Sequence, residues 1–220
     1  MSANAQRLIR SALNSFENAI GPDCVQFVER TNQRNYIRVY SGTGCSSKIG
    51  MSGGRQSLSL KENGCLRTGT IQHEFMHALG FTHEQCRSDR NRHITINYQN
   101  IQRGRAANFA RKNTNNLRTA YNYASIMHYG RYAFSKNGSP TIVPNDPKAR
   151  IGLRVGVSRN DLDTQRIRRF YNCVAVAPSV RILTRSCEDK HKYCVYWAKA
   201  GYCKTNTYTK NNCWKSCGTC

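Results

Sequence analysis

The chain has 220 residues with a hydrophobic fraction of 39%, which suffices for one larger domain and a small additional module. Its 34 Lys and Arg residues outnumber its 12 Asp and Glu residues and give a formal net charge of +22, which favours polyanionic partners such as glycans or extracellular matrix. The basic residues are dispersed without a nucleic-acid recognition motif, and no apolar run reaches the roughly eighteen residues that span a membrane. We therefore expect neither nucleic-acid binding nor a membrane span.

The cysteine content indicates where the protein works. Eleven cysteines are too many for a reducing cytosol, where thiols are kept free, so we expect a secreted, extracellular protein. The amino-terminal segment MSANAQRLIRSALNSF lacks the apolar stretch of a signal peptide. We therefore interpret the chain as a fragment of a longer precursor.

The cysteines also mark a domain boundary. Five lie between Cys24 and Cys173, and six crowd into the segment from Cys187 to Cys220. The intervening VAVAPSVRILTRS contains a proline and small residues without a helical or strand period. The predicted organisation is a first domain over 1–176, a linker over 177–186 and a cysteine-rich module over 187–220.

The first predicted elements are a helix and several strands. Apolar residues in QRLIRSALNSFENAI recur with a 3.6-residue period, and Gly21-Pro22 ends the pattern, so residues 6–20 are predicted to form an amphipathic helix. CVQFVER (24–30) and YIRVYSG (36–42) alternate apolar with polar residues, as strands do. RQSLSL (55–60) alternates leucine with serine and is predicted to be an edge strand.

Two further helices follow. TGTIQHEFMHALGF has a helical pattern that Gly80 is placed to end. In SRNDLDTQRIRRFYN, Ser158 with Asp161 three residues later predicts a helix capped by Ser158. The order of helix, strands, helix, long irregular stretch and helix predicts an α+β domain.

The stretch HEFMHALGFTH contains the candidate metal site. His73 and His77 are four residues apart and project from one face of a helix, where both imidazoles reach one ion. Glu74 lies about 100° further round the helix axis, where a general base stands to take a proton from a metal-bound water. Gly80 permits the turn that presents His83 as the third ligand. Three neutral nitrogens leave a position open for water, as in catalytic rather than structural zinc sites.

This motif and a second one carry a resemblance to a known family. HEFMHALGFTHEQCRSDR, together with SIMHY at Ser125–Tyr129, resembles the astacin family of zinc metalloproteases within the metzincin group. The alternative explanations are a helix with two surface histidines for the first motif and a core methionine in a tight turn for the second. The occurrence of both motifs favours the family. The likeness covers residues 6–173.

The resemblance implies an α+β fold of the two-lobed metzincin type, one Zn²⁺ per chain, and hydrolysis of peptide bonds in protein or peptide substrates. It implies that Met127 forms a turn beneath the zinc and that Tyr129 is an additional ligand that swings out to stabilise the transition state. It also implies that RQSLSL lies along a bound peptide. The implied disulfides are Cys24 to Cys173 and Cys45 to Cys65.

The resemblance extends to substrate preference. Some family members favour acidic residues after the scissile bond because an arginine lines that pocket. Here Lys148, Arg150 and Arg154 follow the methionine turn and are candidates for this role. The alternative is that these three charges form a solvated face.

Glu84 departs from the family pattern. In mature family members the amino terminus folds inward and contacts the glutamate after the third histidine, here Glu84. This chain begins at or near the first helix, without the family's first strand or propeptide, so Glu84 is predicted to lack its partner, which is costly for a buried carboxylate. The alternative is an exposed or hydrated Glu84.

The carboxy-terminal segment, which ends in CWKSCGTC, resembles the ShK toxin-like (ShKT) module of sea-anemone potassium-channel blockers. A segment this short needs staples instead of a hydrophobic core, so we expect a small disulfide-stapled helical module. The toxins use a Lys-Tyr pair, but Tyr208 follows Thr207 here, so an accessory role in substrate or matrix binding is favoured over channel block. The implied bridges are Cys187 to Cys220, Cys194 to Cys213 and Cys203 to Cys217.

Five such bridges use ten of the eleven cysteines and leave Cys86 unpaired. Cys86 is interpreted as a small apolar filler, or as the partner of a cysteine outside this chain. A role as a zinc ligand is disfavoured because the three histidines already complete the set.

Two hypotheses for function follow. The first is a secreted zinc metalloendopeptidase in which Glu74 activates a zinc-bound water. The second is a non-catalytic or toxin-like secreted binding protein that acts through its basic surface or its ShKT tail.

Overall fold

The computed structural model describes residues 1–173 and 188–218. The chain divides into two units, Met1–Cys173 and Val174–Cys220. The predicted linker over 177–186 and the predicted bridge between Cys187 and Cys220 lie outside the described residues.

The first helix, α1 (Ala3–Ile20), confirms the predicted amphipathic helix and begins three residues earlier. The hydroxyl of Ser2 accepts a hydrogen bond from the N–H of Ala5 and caps the helix. At the other end Gly21 has a φ of 115°, a conformation that glycine adopts without steric cost. One face of α1 is buried in the core of the first unit, including Phe16, which is fully buried.

The main sheet has three strands, β1 (Tyr36–Tyr40), β2 (Cys45–Ser47) and β3 (Arg55–Leu60). Strand β3 lies in the middle, parallel to β1 and antiparallel to β2. The prediction that this segment is an edge strand is therefore wrong. The serines of an edge strand would all face solvent, but Ser59 is buried like the leucines on either side of it. Its hydroxyl donates to the carbonyl of Gly44. The edge strand on this side of the sheet is β2.

The predicted strand over 24–30 is also wrong, because the structure has no strand there. Phe27 is anchored by its ring, which packs against Phe16 and Phe75. Its backbone N–H donates to the carboxylate of Glu17 at 2.5 Å, and its carbonyl accepts from Arg10 at 2.6 Å. Side chains of α1 thus satisfy the polar backbone groups that a neighbouring strand would otherwise satisfy.

A short helical turn, α2 (Glu62–Cys65), in which Asn63 and Gly64 depart from helical backbone angles, precedes the central helix α3 (Thr68–Ala78). As predicted, α3 gives way to a turn at Gly80, whose φ is 105°. The buried Gln72 on α3 connects three segments: it donates to the carbonyl of Ala12 and the hydroxyl of Ser15, and it accepts from the N–H of Val157. These bonds fix α3 between α1 and the later loop.

The rest of the first unit is mostly irregular. Strands β4 (Ile94–Ile96) and β5 (Ile142–Pro144) pair antiparallel and contribute to a second hydrophobic cluster, separate from the one that contains α1 and α3. Four short 3-10 helices lie in this part: Glu84–Cys86, Arg90–Arg92, Tyr98–Asn100 and Ala106–Phe109.

Helix α4 (Leu162–Phe170) closes the first unit. The predicted cap at Ser158 is wrong, because the N-cap is Asp161, whose carboxylate accepts from the N–H of Thr164 at 2.9 Å. Ser158 instead donates its own N–H to the same carboxylate at 2.6 Å. Asp161 is the cap because its carboxylate has two oxygens, of which one accepts from Thr164 and the other from Ser158.

The described part of the second unit is a stapled group of short helices. They are α5 (Cys194–Lys199), α6 (Tyr202–Thr205), α7 (Thr207–Asn212) and α8 (Trp214–Cys217). The disulfides within the described residues join Cys24 to Cys173, Cys45 to Cys65, Cys194 to Cys213 and Cys203 to Cys217, the pairings that the resemblances imply. Among the described helices, none combines the length and the apolar character that a membrane-spanning segment needs. The predicted α+β class with a small helical module is confirmed.

Candidate active site

Three histidines converge at one point of the first unit. His73 and His77 lie one turn apart on α3, and the chain returns after Gly80 to bring His83 opposite them. One ligand nitrogen from each ring lies within 4.8 Å of the others. The ring centroid of His77 is 4.6 Å from those of both His73 and His83. The spacing in the sequence therefore brings the predicted metal ligands together.

Backbone carbonyls orient two of these rings. Nδ1 of His73 lies 2.7 Å from the carbonyl oxygen of Ile126, and Nδ1 of His77 lies 2.8 Å from that of Phe81. A carbonyl oxygen only accepts, so in both rings Nδ1 carries the proton and Nε2 keeps a free lone pair. This is the arrangement by which outer hydrogen bonds orient metal-binding histidines.

The histidines are also kept neutral. Burial lowers the pKa of His73 to about 2 and that of His83 to about 3, and burial also lowers the pKa of His77. Neighbouring positive charge, including Arg154, acts in the same direction at all three rings. All three imidazoles therefore have unprotonated nitrogens at neutral pH, the form that binds Zn²⁺.

Glu74 is buried beside the three histidines. Its Oε2 has no hydrogen-bond partner among the described residues, and burial raises its pKa to about 7, against the opposing influence of Arg154. A buried carboxylate oxygen without a partner is costly unless something else occupies the site. Three neutral nitrogens and one unpartnered carboxylate oxygen fit a zinc ion with water beside it.

Tyr129 packs against His83, with a ring-centroid distance of 4.4 Å. Its backbone N–H donates to the side-chain Oε1 of Gln85 at 3.2 Å. Two residues earlier, Met127 is fully buried in the hydrophobic core, and its carbonyl accepts from the N–H of Glu84 at 3.0 Å. The predicted methionine turn is thus joined directly to the segment that carries His83.

The sequence did not identify the residues that support Tyr129. His128 is fully buried; its Nδ1 lies 2.7 Å from the carbonyl oxygen of Tyr129 and its Nε2 lies 2.7 Å from the hydroxyl of Tyr121. Because the carbonyl accepts from Nδ1, the Tyr121 hydroxyl donates to Nε2. Tyr121 and Tyr123 lie a few residues before His128 in the sequence, but nothing in this spacing revealed the contact.

The prediction that Glu84 lacks a partner is wrong, and so is the alternative of an exposed side chain. Glu84 is buried, and its two carboxylate oxygens accept from Arg166 at 2.6 and 2.9 Å. Arg87 lies 3.4 Å away, and the N–H of Asn122 donates at 2.7 Å. These partners lie up to 82 positions from Glu84, so local sequence could not reveal them.

Asp163, also missed from the sequence, supports the methionine turn. Its carboxylate accepts from the hydroxyl of Ser125 at 2.8 Å and from the N–H of Ile126 at 2.9 Å. Burial raises the pKa of Asp163 to about 6, while the hydrogen bond from Ser125 and the charge of Arg166 oppose the shift.

A cleft of about 620 Å³ opens over the histidines. Arg154 lines it, with a φ of 44°, and burial lowers the pKa of its guanidinium while Glu74 and Tyr129 oppose that shift. Lys148 and Arg150 are exposed and do not line the cleft. The other lining residues are Cys45, Ser46, Ser47, His73, Glu74, His77, His83, Tyr129, Gly130, Ala133, Phe134 and Gly152.

Cys86 is a free, buried cysteine. Its Sγ lies 3.3 Å from the carbonyl oxygen of Asn108, to which it donates, and burial raises its pKa. It does not belong to the group of candidate metal ligands found among the described residues.

The chain matches known protein families and solved structures. The family model "Astacin (Peptidase family M12A)" matches residues 1–172, and the model "ShK domain-like" matches residues 186–220. High choriolytic enzyme 1 of Oryzias latipes is 49% identical over 168 residues, which are 75% of this chain and 60% of that protein. Zinc metalloproteinase nas-15 of Caenorhabditis elegans is 34% identical over 258 residues, covering 100% of this chain and 44% of that protein.

A solved structure of High choriolytic enzyme 1, described as a hatching enzyme zinc-protease, superposes with a TM-score of 0.74 at 47% identity. The match covers 79% of this chain and 85% of that one. The chain spans about 60% of the length of the curated hatching-enzyme relative.

Proposed function

The chain belongs to the astacin family, peptidase family M12A, and on this premise we propose that it is a zinc-dependent endopeptidase that hydrolyses peptide bonds within proteins. The proposal is carried by one observation: a buried carboxylate oxygen of Glu74, which has no hydrogen-bond partner in the described part of the chain, lies beside three converging neutral histidines. A purely structural metal site has no use for such a base.

His73, His77 and His83 would hold one zinc ion through ring nitrogens, and Tyr129 would be an additional ligand. When bound, the ion supplies Lewis acidity toward the substrate carbonyl and toward water. The carbonyls of Ile126 and Phe81 bind Nδ1 of His73 and His77, which leaves Nε2 of each ring free to bind the ion.

Glu74 carries the protons of the reaction. It takes one proton from the attacking water as the water oxygen bonds to the carbonyl carbon, and it gives that proton to the amide nitrogen as the C–N bond breaks. The second proton of the water leaves the new carboxylic acid and ends on the amine, so the products at neutral pH are a carboxylate and an ammonium group. In the transition state the hydroxyl of Tyr129, released from its role as a ligand, donates to the oxygen on which negative charge develops.

The substrate would bind as an extended chain along β2 (Cys45–Ser47), the strand that borders the cleft. An edge strand offers unpaired backbone groups to such a peptide. Arg154 lines the same cleft, so we propose a preference for an acidic residue near the scissile bond.

The proposal includes an extracellular location, supported by four disulfides within the described residues. It also includes the division into a peptidase domain over 1–176, a linker and the ShKT module, with the module acting as an accessory binding element. The net charge of +22 supports anionic glycans or matrix as its surroundings.

The test is cleavage of gelatin or casein by the purified chain. Activity that disappears with a zinc chelator and returns when one equivalent of zinc is added supports the proposal. Stoichiometric zinc binding without cleavage would instead support the non-catalytic binding protein.

A further inference from the structure

Helix α4 carries two buried ionisable side chains beneath the candidate zinc site. Asp163 and Arg166 are 2% and 5% exposed, and Glu84, which they meet, is 3% exposed. Groups of this kind are seldom buried without a strong reason. None of the three is among the proposed ligands, and none takes part in the proton transfers above.

The first connection runs from Arg166 to His83. The guanidinium of Arg166 forms a two-pronged pair with the carboxylate of Glu84 at 2.6 and 2.9 Å. Glu84 directly follows His83, and its N–H donates to the carbonyl of Met127 at 3.0 Å. Arg166 therefore holds the residue next to the third ligand against the methionine turn.

The second connection runs from Asp163 to His73. Asp163 accepts the N–H of Ile126 at 2.9 Å, and the carbonyl of the same residue orients the ring of His73 at 2.7 Å. The hydroxyl of Ser125 adds a second bond to Asp163 at 2.8 Å. The N–H of Met127, which belongs to the same peptide as the Ile126 carbonyl, donates to the hydroxyl of Ser125 at 3.0 Å. Asp163 therefore holds both sides of the residue whose carbonyl sets the direction of the His73 ring.

The two connections form one network. Nη1 of Arg166 lies 3.6 Å from Oδ1 of Asp163, and Asn122 donates to both carboxylates, at 2.7 Å to Glu84 and 3.2 Å to Asp163. With Arg87 at 3.4 Å from Glu84, two cationic and two acidic side chains are buried together. Removing Arg166 would leave two buried carboxylates with one cation, a costly imbalance.

We propose that Arg166 is a positioning residue of the zinc site: it orients His83 through Glu84 and His73 through Asp163 without contacting metal or substrate. The inference rests on the proposed function, because it assumes that the histidines bind zinc. It differs from a merely stabilising role in one measurable way. The loss of Arg166 should weaken zinc binding even in chains that are fully folded.

The experiment measures zinc affinity of the full chain by competition with a chromophoric chelator. Arg166→Gln should bind zinc about 10- to 100-fold more weakly than the native chain, and Arg166→Lys, which restores the charge without the two-pronged geometry, should recover part of the loss. Arg169→Gln is the matched control, since Arg169 is on the same helix, is exposed and bonds only to the carbonyls of Leu117 and Arg118 among the described residues. Its zinc affinity should remain native.

Far-UV circular dichroism and the thermal midpoint report folding separately. A folded Arg166→Gln variant with a lowered midpoint but a zinc affinity within about twofold of native would overturn the proposal, because Arg166 would then serve stability alone. If Arg166→Gln does not fold, Arg166→Lys and Asp163→Asn carry the same test: weakened zinc binding supports the network and native binding refutes it.

The readout separates this inference from the proposed function. A native chain that binds zinc but cleaves no protein contradicts the endopeptidase, while the effect of Arg166 on zinc affinity still decides the positioning role. A cobalt-substituted chain adds a second readout, since the visible spectrum of Co²⁺ reports ligand geometry. The spectrum should change in Arg166→Gln and stay native in Arg169→Gln.

Discussion

Gly69 on α3 lies so close to the backbone of Arg154 that a Cβ at position 69 would overlap the carbonyl group of Arg154. The same Cβ would lie 1.8 Å from the carbonyl oxygen of Arg154 and 2.8 Å from the backbone nitrogen of Gly156. Only a glycine lets the loop that carries Arg154 rest directly on the helix that carries Glu74. This contact fixes one wall of the cleft.

Gly69→Ala should therefore displace the loop. We expect the free energy of unfolding to fall by about 1–3 kcal/mol, the usual cost of overpacking, and the KM for peptides to rise because Arg154 moves. Peptidase kinetics and chemical denaturation check this. Gly44→Ala is the control, because a Cβ at that position meets nothing within 4 Å. Native KM in Gly69→Ala would show that the loop does not shape the substrate site.

We expect Arg154 to determine the proposed preference for an acidic residue near the scissile bond. Hydrogen bonds to charged groups contribute about 1.5–3 kcal/mol, so Arg154→Gln should lower kcat/KM about 10- to 100-fold for peptides with Asp or Glu next to the scissile bond and change it little for neutral peptides. The exposed Arg150, in the same loop, provides the control variant Arg150→Gln. An equal loss for acidic and neutral peptides would argue against a role in specificity.

Glu74→Gln should separate metal binding from catalysis. The amide has nearly the same shape but cannot take a proton, and general-base catalysis contributes about 10²- to 10⁴-fold. We expect kcat to fall by at least that range while zinc content stays at one ion per chain. Metal analysis of the purified variant and a cleavage assay test this together, and retained activity would remove Glu74 from the mechanism.

Tyr129→Phe should lower kcat with little change in KM. The loss of one donor to the developing oxyanion costs about 10²- to 10³-fold, whereas the ring and its contact with His83 remain. Tyr132→Phe serves as the control, because Tyr132 is 59% exposed. If both variants kept native kcat, Tyr129 would be only a wall of the cleft.

The sequence predicted those parts of the fold that depend on short-range periodicity. Four-residue spacing put His73 and His77 on one helical face, and the 3.6-residue pattern of α1 was sufficient to define that helix. The prediction of a strand at 24–30 was wrong because side chains of α1 hold Phe27. The alternation of apolar and polar residues in that segment reflects contacts with a helix. The order of the strands in the sheet could not be predicted either, because the alternation of apolar and polar residues does not indicate which strand lies in the middle.

The same limit applied at the site. The three candidate ligands and the candidate base, Glu74, lie within eleven consecutive residues, so their spacing alone predicted a metal site. The residues that support the ligands could not be predicted in the same way. Arg166 is 82 positions from Glu84, and Asp163 is 37 positions from Ile126. Charge pairing at such distances is set by packing, which a single sequence does not encode in any local pattern.

The buried thiol of Cys86 has a consequence for how the protein fails on heating. In the folded state it is 2% exposed and its pKa is raised by burial, so it attacks no disulfide. Unfolding exposes it to the bridges of its own chain, and one thiolate is enough to start their exchange. Cys86→Ala should recover more native signal in a second thermal scan than the parent chain, and equal recovery would contradict this. Each time the protein unfolds on heating, Cys86 can therefore start an exchange that leaves the disulfides mispaired. Mildly acidic storage keeps the thiolate fraction low and should prolong the time for which the protein stays native.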